Sequence, residues 1–195
     1  MLGSITPLGE RSRGRRWGVT VTAFALAAVA AGAAAGALLG AAGGLAGAHA
    51  GKRTWLLGVA VAAAVAVDAV PGLHPPGPRR QVNEEWLHRY RGWVYGAGFG
   101  LQLGLGVTTI VSTAAVYATA AAAALAGTAT AGAAVGAAFG AARAAALLAA
   151  GRVREPQGLA TLDRRLRAWE RPARLGALVA EAGLVIVAAA LAFSA

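Results

Sequence analysis

Five long apolar runs, separated by short segments that hold nearly all the charge, organise this chain. They cover residues 17–48, 54–70, 92–126, 128–150 and 174–194. A helix needs about 20 residues to cross the hydrocarbon core of a bilayer. The second run is at the short limit. The first and third are longer than one upright helix requires, so each predicts a helix that is tilted, kinked or broken. Splitting either run would give short halves with no polar turn between them. The pattern predicts an all-α, polytopic transmembrane bundle of about five spans.

The positions of the basic residues orient it. Arg11, Arg13, Arg15 and Arg16 precede the first run. Arg79, Arg80, Arg89 and Arg91 lie between the second and third, and Arg152, Arg154, Arg164, Arg165, Arg167, Arg171 and Arg174 lie between or beside the fourth and fifth. Basic residues concentrate in cytoplasmic loops. Five spans with the N-terminus inside and the C-terminus outside place segments 1–16, 71–91 and 151–173 in the cytoplasm. Only Lys52 and Arg53 then face outward. The expected organisation is a basic cytoplasmic tail, 1–16, followed by a single transmembrane domain, 17–195, in the cell's inner membrane.

Composition agrees. The chain has 195 residues, of which 57% are hydrophobic and 13% charged, against about 25% charged in soluble domains. Its mean hydropathy is +0.59. The net charge of +10 flanks apolar spans rather than covering one face of a soluble domain, which argues against nucleic acid and for anionic lipid headgroups. There is no cysteine, so disulfides, thiol redox chemistry and Cys-ligated metals are excluded. Arginine in place of lysine, with abundant Ala and Gly, fits a GC-rich bacterial genome of actinobacterial type.

Arg15-Arg16-Trp17 and Ala48-His49-Ala50 resemble the ends of a cleaved signal peptide. The apolar run between them exceeds the 7–15 residues or so of a signal core, so it reads as a retained span. After Pro156, the residues Leu159, Leu162, Leu166 and Trp169 recur at helical spacing, with Arg164, Arg165, Arg167 and Arg171 mainly opposite. This predicts an amphipathic helix in the headgroup plane, started by Pro156 and stopped by Pro172. Val82, Trp86, Tyr90 and Trp93 repeat the pattern in shorter form, after an irregular Pro/Gly-rich turn over 71–78. Arg16-Trp17 and Arg91-Gly92-Trp93 each open a hairpin of similar length, a hint of duplication.

Glycines recur every four residues in three places: Gly32, Gly36, Gly40 and Gly44; Gly92, Gly96, Gly100 and Gly104; and Gly132, Gly136 and Gly140. At that spacing they share a helix face and let backbones touch, the glycine-zipper mode of packing in lipid. No Lys-Ser/Thr follows any of them, so none reads as a phosphate loop.

Charges inside spans are costly and point to function. Asp68, Arg143 and Glu181 are the three. In the five-span arrangement all lie toward the cytoplasmic side, with Arg143 and Glu181 at similar depth and able to pair. Gln102 enters from the same side, and Thr108 and Thr109 follow near the middle of the third run with Ser112, Thr113 and Tyr117. Together these could line a polar vestibule open to the cytoplasm. Asp68 as a simple helix cap and Arg143 as a snorkelling side chain are the bland alternatives. His49, His74 and His88 are scattered, which gives no metal site. No catalytic triad is recognisable, no cofactor is implied, and an enzyme is the least favoured class.

The run Gly96-Ala97-Gly98-Phe99-Gly100-Leu101-Gln102-Leu103-Gly104-Leu105-Gly106-Val107-Thr108-Thr109 resembles the opening of a repeat in CcdA-type membrane proteins, related to the DsbD core and to the superfamily of LysE-type exporters. The Pro-Cys that follows the Thr/Ser in that family is missing here, where Thr108-Thr109-Ile110 stands. The resemblance implies a membrane protein of exporter-like or accessory role without the thiol chemistry. Two function classes follow. One is a small transporter or exporter with a cytoplasm-facing vestibule. The other is a non-catalytic scaffold or accessory subunit, packed as a homo-oligomer or against a membrane partner.

Overall fold

A computed structural model of the chain describes residues 5–47, 50–70, 73, 75–77, 85–106, 111 and 113–193. Among them every regular element is helical and no strand occurs. The first apolar run is one continuous helix, α2 (Trp17–Leu45). No proline interrupts it, and at 1.5 Å per residue its 29 residues extend about 43 Å.

Helix α2 is the axis of the bundle. Helix α5 (Gly92–Leu105) runs parallel to its first half, because Gly96, Gly100 and Gly104 meet the backbone oxygens of Thr20, Phe24 and Ala28 in that order. Helix α7 (Ala129–Leu148) runs antiparallel along the same axis, with Gly132, Gly136 and Gly140 against Gly36, Gly32 and Ala28. The approach is backbone to backbone. A methyl group at Gly36 would stand 2.1 Å from the Gly132 oxygen, and one at Gly136 would stand 1.9 Å from the Gly32 oxygen. Gly40 lies equally close to the Thr128 oxygen, 2.2 Å from such a methyl. Helix α2 and helix α7 are each long and apolar enough to cross a membrane.

The third apolar run is not one helix. It divides into α5 and α6 (Ala115–Leu125). Gly106 ends α5 with φ 76°, a conformation that suits glycine and stops helical propagation. Helix α6 then resumes the direction of α2. Its first turn places Val116 beside Gly106, and its last turn brings Ala124 against Gly43. The two pieces thus follow α2 in sequence, with the interruption midway along it.

Helix α3 (Ala50–Ala69) returns antiparallel to α6, joined by a small core of Val61, Ala64, Ala114 and Ala118. At the far end the Arg53 guanidinium lies against Gly127, in the turn between α6 and α7. Helix α8 (Pro156–Phe193) packs chiefly along α3. It is a single helix of 38 residues with Pro172 inside it. The amphipathic stretch and the fifth apolar run, expected as two elements separated at Pro172, are therefore continuous. A proline removes one i→i−4 hydrogen bond and kinks a helix, but it need not end one. Leu166 and Trp169 remain exposed.

The larger core gathers Val21, Phe24, Tyr95, Phe99, Ala144 and Leu147 at the end where α2 and α5 begin and α7 finishes. Ile5, Ala28 and Leu87 complete it. Residues 5–16, expected as a basic tail, are packed there. Thr6 caps a short helix, α1 (Pro7–Ser12), by accepting the Gly9 N–H at 3.0 Å. Of the short aromatic run before α5, one turn is helical, α4 (Trp86–Arg89), and Val82 lies outside the described residues.

Candidate functional site at the helix break

An interrupted helix leaves unpaired backbone N–H groups at the start of its second half. Here a side chain from another helix takes them. The Ala114 N–H donates to both carboxylate oxygens of Asp68, at 2.8 and 3.1 Å, and the Thr113 hydroxyl donates to Asp68 Oδ2. Thr113 Oγ1 in turn accepts the Ala115 N–H at 3.2 Å. A carboxylate in this position also complements the positive end of the α6 dipole. The Asp68 backbone oxygen accepts from the Arg174 guanidinium at 2.6 Å, which ties α8 to the same point. Beside it, a cavity of about 300 Å³ lies between α3 and α6, lined by Ala60, Ala64, Val67, Pro75, Pro76 and Tyr117 among others. Tyr117 donates its hydroxyl proton to the Pro76 oxygen.

The other residues expected in the vestibule belong, as expected, to different helices or to the segment between α5 and α6. Gln102 is half-buried on α5. Arg143 is half-buried on α7, its guanidinium 5.2 Å from the centre of the Phe139 ring. One of its nitrogens, Nη1, is buried with no hydrogen-bond partner among the described residues. Glu181 belongs to α8, which packs along α3, and its side chain lies outside the described residues. Thr108 and Thr109 also lie outside them, in the segment of the break. Asp68 is thus joined to Thr113, Ala114 and Arg174, and Arg143 to Phe139.

The most elaborate polar cluster was not anticipated. Glu10 is fully buried. Its carboxylate accepts from the Thr20 hydroxyl at 2.6 Å, from the Tyr95 hydroxyl and from Arg13 at 2.8 Å. Arg15 lies over the Tyr95 ring at 5.2 Å. Burial by itself pushes the Glu10 carboxyl up. The hydrogen bonds from Thr20, Tyr95 and Arg13, with the Arg13 charge, outweigh it and hold the group below its ordinary value. Two signals in the sequence could have found this. Thr6-Pro7 is a helix-start pair, and Glu10 is the sole acidic residue before Asp68. Comparison with protein-family models, curated proteins and solved structures returns no match for this chain.

Proposed function

We propose that the chain is an integral membrane protein of about five spans, N-terminus inside, that moves a small solute along a path at the α5–α6 break. The observation that carries this reading is the interruption of the third apolar run midway along α2, with α6 started on the carboxylate of Asp68. Irregular backbone at membrane depth is tolerated only where protein buries it or a cavity is lined by it. Discontinuous helices of this kind form binding sites in secondary transporters. The cavity between α3 and α6 lies beside the break, and the glycine-rich run from Gly96 has exporter-type resemblance.

The membrane setting rests on how little of the apolar surface is covered. Only 33% of the most apolar stretch of α2 and 28% of that of α7 is buried, so most of both stretches faces away from the bundle. Leu26 and Leu38 are 66% and 73% exposed. Glycines line the contact between α2 and α7 while Leu26, Leu38 and Leu148 on the same helices stand exposed, which suits lipid as solvent. The scaffold reading is favoured by a different observation, the backbone contacts of α2 with α5 and α7 at their glycines, which fix helices tightly.

The test is reconstitution of the full chain in proteoliposomes loaded with a pH-sensitive dye. Amino acids, carboxylates and cationic amphiphiles are supplied in turn. Transport requires solute-evoked flux with the wild type and its loss in Asp68→Asn. Correctly inserted protein that evokes no flux with any class would overturn the transporter reading and leave the scaffold.

A further inference from the structure

The segment 5–16 is bonded to α2, α4, α5 and the residue that follows the 3-10 turn after α7. Glu10 reaches Thr20 in the first turn of α2 and Tyr95 in the first turn of α5. The Leu8 N–H donates to the Val153 oxygen at 3.2 Å, just beyond the 3-10 turn Ala149–Arg152 that ends α7. Trp17 Nε1 donates to the Ile5 oxygen at 3.3 Å, and Arg15 donates to the Leu87 oxygen at 2.8 Å, ahead of α5. Ile5, Thr6 and Glu10 have at most 1% of their surface exposed.

Below these bonds, α5 meets α2 along glycines. Gly96, Gly100 and Gly104 offer no side chain to interlock with Thr20, Phe24 and Ala28. Beside these glycines Phe24, Tyr95 and Phe99 pack in one core, so the contact is held by dispersion, and directional bonds between the first turns of α2 and α5 come from polar groups at its end. Glu10 supplies such bonds from one carboxylate to both helices. Without it, two hydroxyls, Thr20 and Tyr95, would remain in a dry pocket without their acceptor. A carboxylate buried at such cost, in a segment otherwise rich in arginine, has a holding role.

We infer that residues 5–16 are a releasable strap, locked by Glu10, that holds α5 against α2 and closes the inner end of the bundle. When Glu10 leaves Thr20 and Tyr95, the strap lifts and the first turns of α2 and α5 separate. As the gate of a transport path, the strap rests on the transporter reading. As a lock between two helices, it stands without it.

Because the chain has no cysteine, thiols can be placed singly. In Ile5→Cys, the buried thiol should react slowly with a maleimide. Adding Glu10→Gln should raise the rate at least tenfold, and adding Tyr95→Phe, which removes one bond and keeps the ring, should raise it less. In parallel, spin labels at Val19→Cys and Trp93→Cys, both exposed positions at the starts of α2 and α5, should gain a longer distance component with Glu10→Gln. If that variant does not fold, Tyr95→Phe carries both measurements. An unchanged labelling rate would overturn the strap. Faster labelling with an unchanged Val19–Trp93 distance would overturn the lock, since the segment would then be a surface attachment only. Both expected changes, together with no solute flux in the vesicles, would remove the transporter reading and leave the lock standing.

Discussion

Asp68, near the end of α3, accepts the backbone N–H of Ala114, at the start of α6, at 2.8 Å. The cap of one helix is thus supplied by another, 46 residues earlier in the chain. The contact fixes where α6 begins and binds α3 to it. It accounts for a helix that restarts with alanine at its N-cap, where the local side-chain acceptor is the neighbouring Thr113 hydroxyl.

Removal of that cap should therefore be felt at the break. Asp68→Ala should lower stability by about 1–2 kcal/mol, the usual cost of losing an N-cap, and Asp68→Asn by less, since an amide oxygen can still accept. Thermal unfolding in detergent measures both. An Asp68→Ala variant as stable as the wild type would mean that the α6 start is held by other contacts.

The glycine contacts predict a position-dependent cost. At Gly36 a methyl would meet the backbone of α7, which cannot move aside as a side chain can, whereas at Gly18 nothing lies within 4 Å. Gly36→Ala should destabilise by about 1–3 kcal/mol through overpacking. Gly18→Ala should be neutral or stabilising by up to about 1 kcal/mol, from helix propensity alone. Equal effects at the two sites, measured by thermal unfolding, would contradict the α2–α7 contact.

The strap should be shut across neutral and mildly acidic pH. Glu10 is held below its ordinary value of 4.5. A depressed carboxyl contributes stability that is present above its unfolded value and is lost as pH falls through its folded one. The groups facing it are Thr20, Tyr95, Arg13 and Arg15, so a transition in acid belongs to Glu10. Spin labels at Ser12→Cys and Ala160→Cys should keep one narrow distance from pH 7 to 5 and broaden only in stronger acid. Broadening near pH 6 would show that another group controls the strap.

The pairing of Arg143 with Glu181, expected from their similar depth, is open to a double-mutant cycle. Helix α8 lies along α3, while Arg143 sits on α7 over Phe139. In a double-mutant cycle of Arg143→Leu and Glu181→Leu, the coupling should fall below about 0.5 kcal/mol, as for separated sites. A larger favourable coupling would place the two charges together.

Orientation is open to direct measurement. Single cysteines at Ser12, Gln157 and Ser194 should be labelled by an impermeant thiol reagent on intact cells at Ser194→Cys alone. Labelling at Gln157→Cys without Ser194→Cys would invert the proposed topology.

The sequence by itself determined that the chain is helical and apolar, where α2, α3 and α7 lie and which glycines share a face. These are properties of short windows: hydropathy is a local average, and a four-residue glycine repeat lies on one helix face whatever the rest of the chain does. It also marked the third apolar run as too long for one upright helix. Only the tertiary structure decided that the first run stays whole while the third breaks after Gly106, because the carboxylate that starts α6 comes from Asp68 on α3. It likewise decided that Pro172 lies inside a helix and that the basic N-terminal segment is packed. Glu10 has partners 10 and 85 residues away, at Thr20 and Tyr95. A buried carboxylate is stable only where distant parts of the chain bring donors to it, and no local window contains that information.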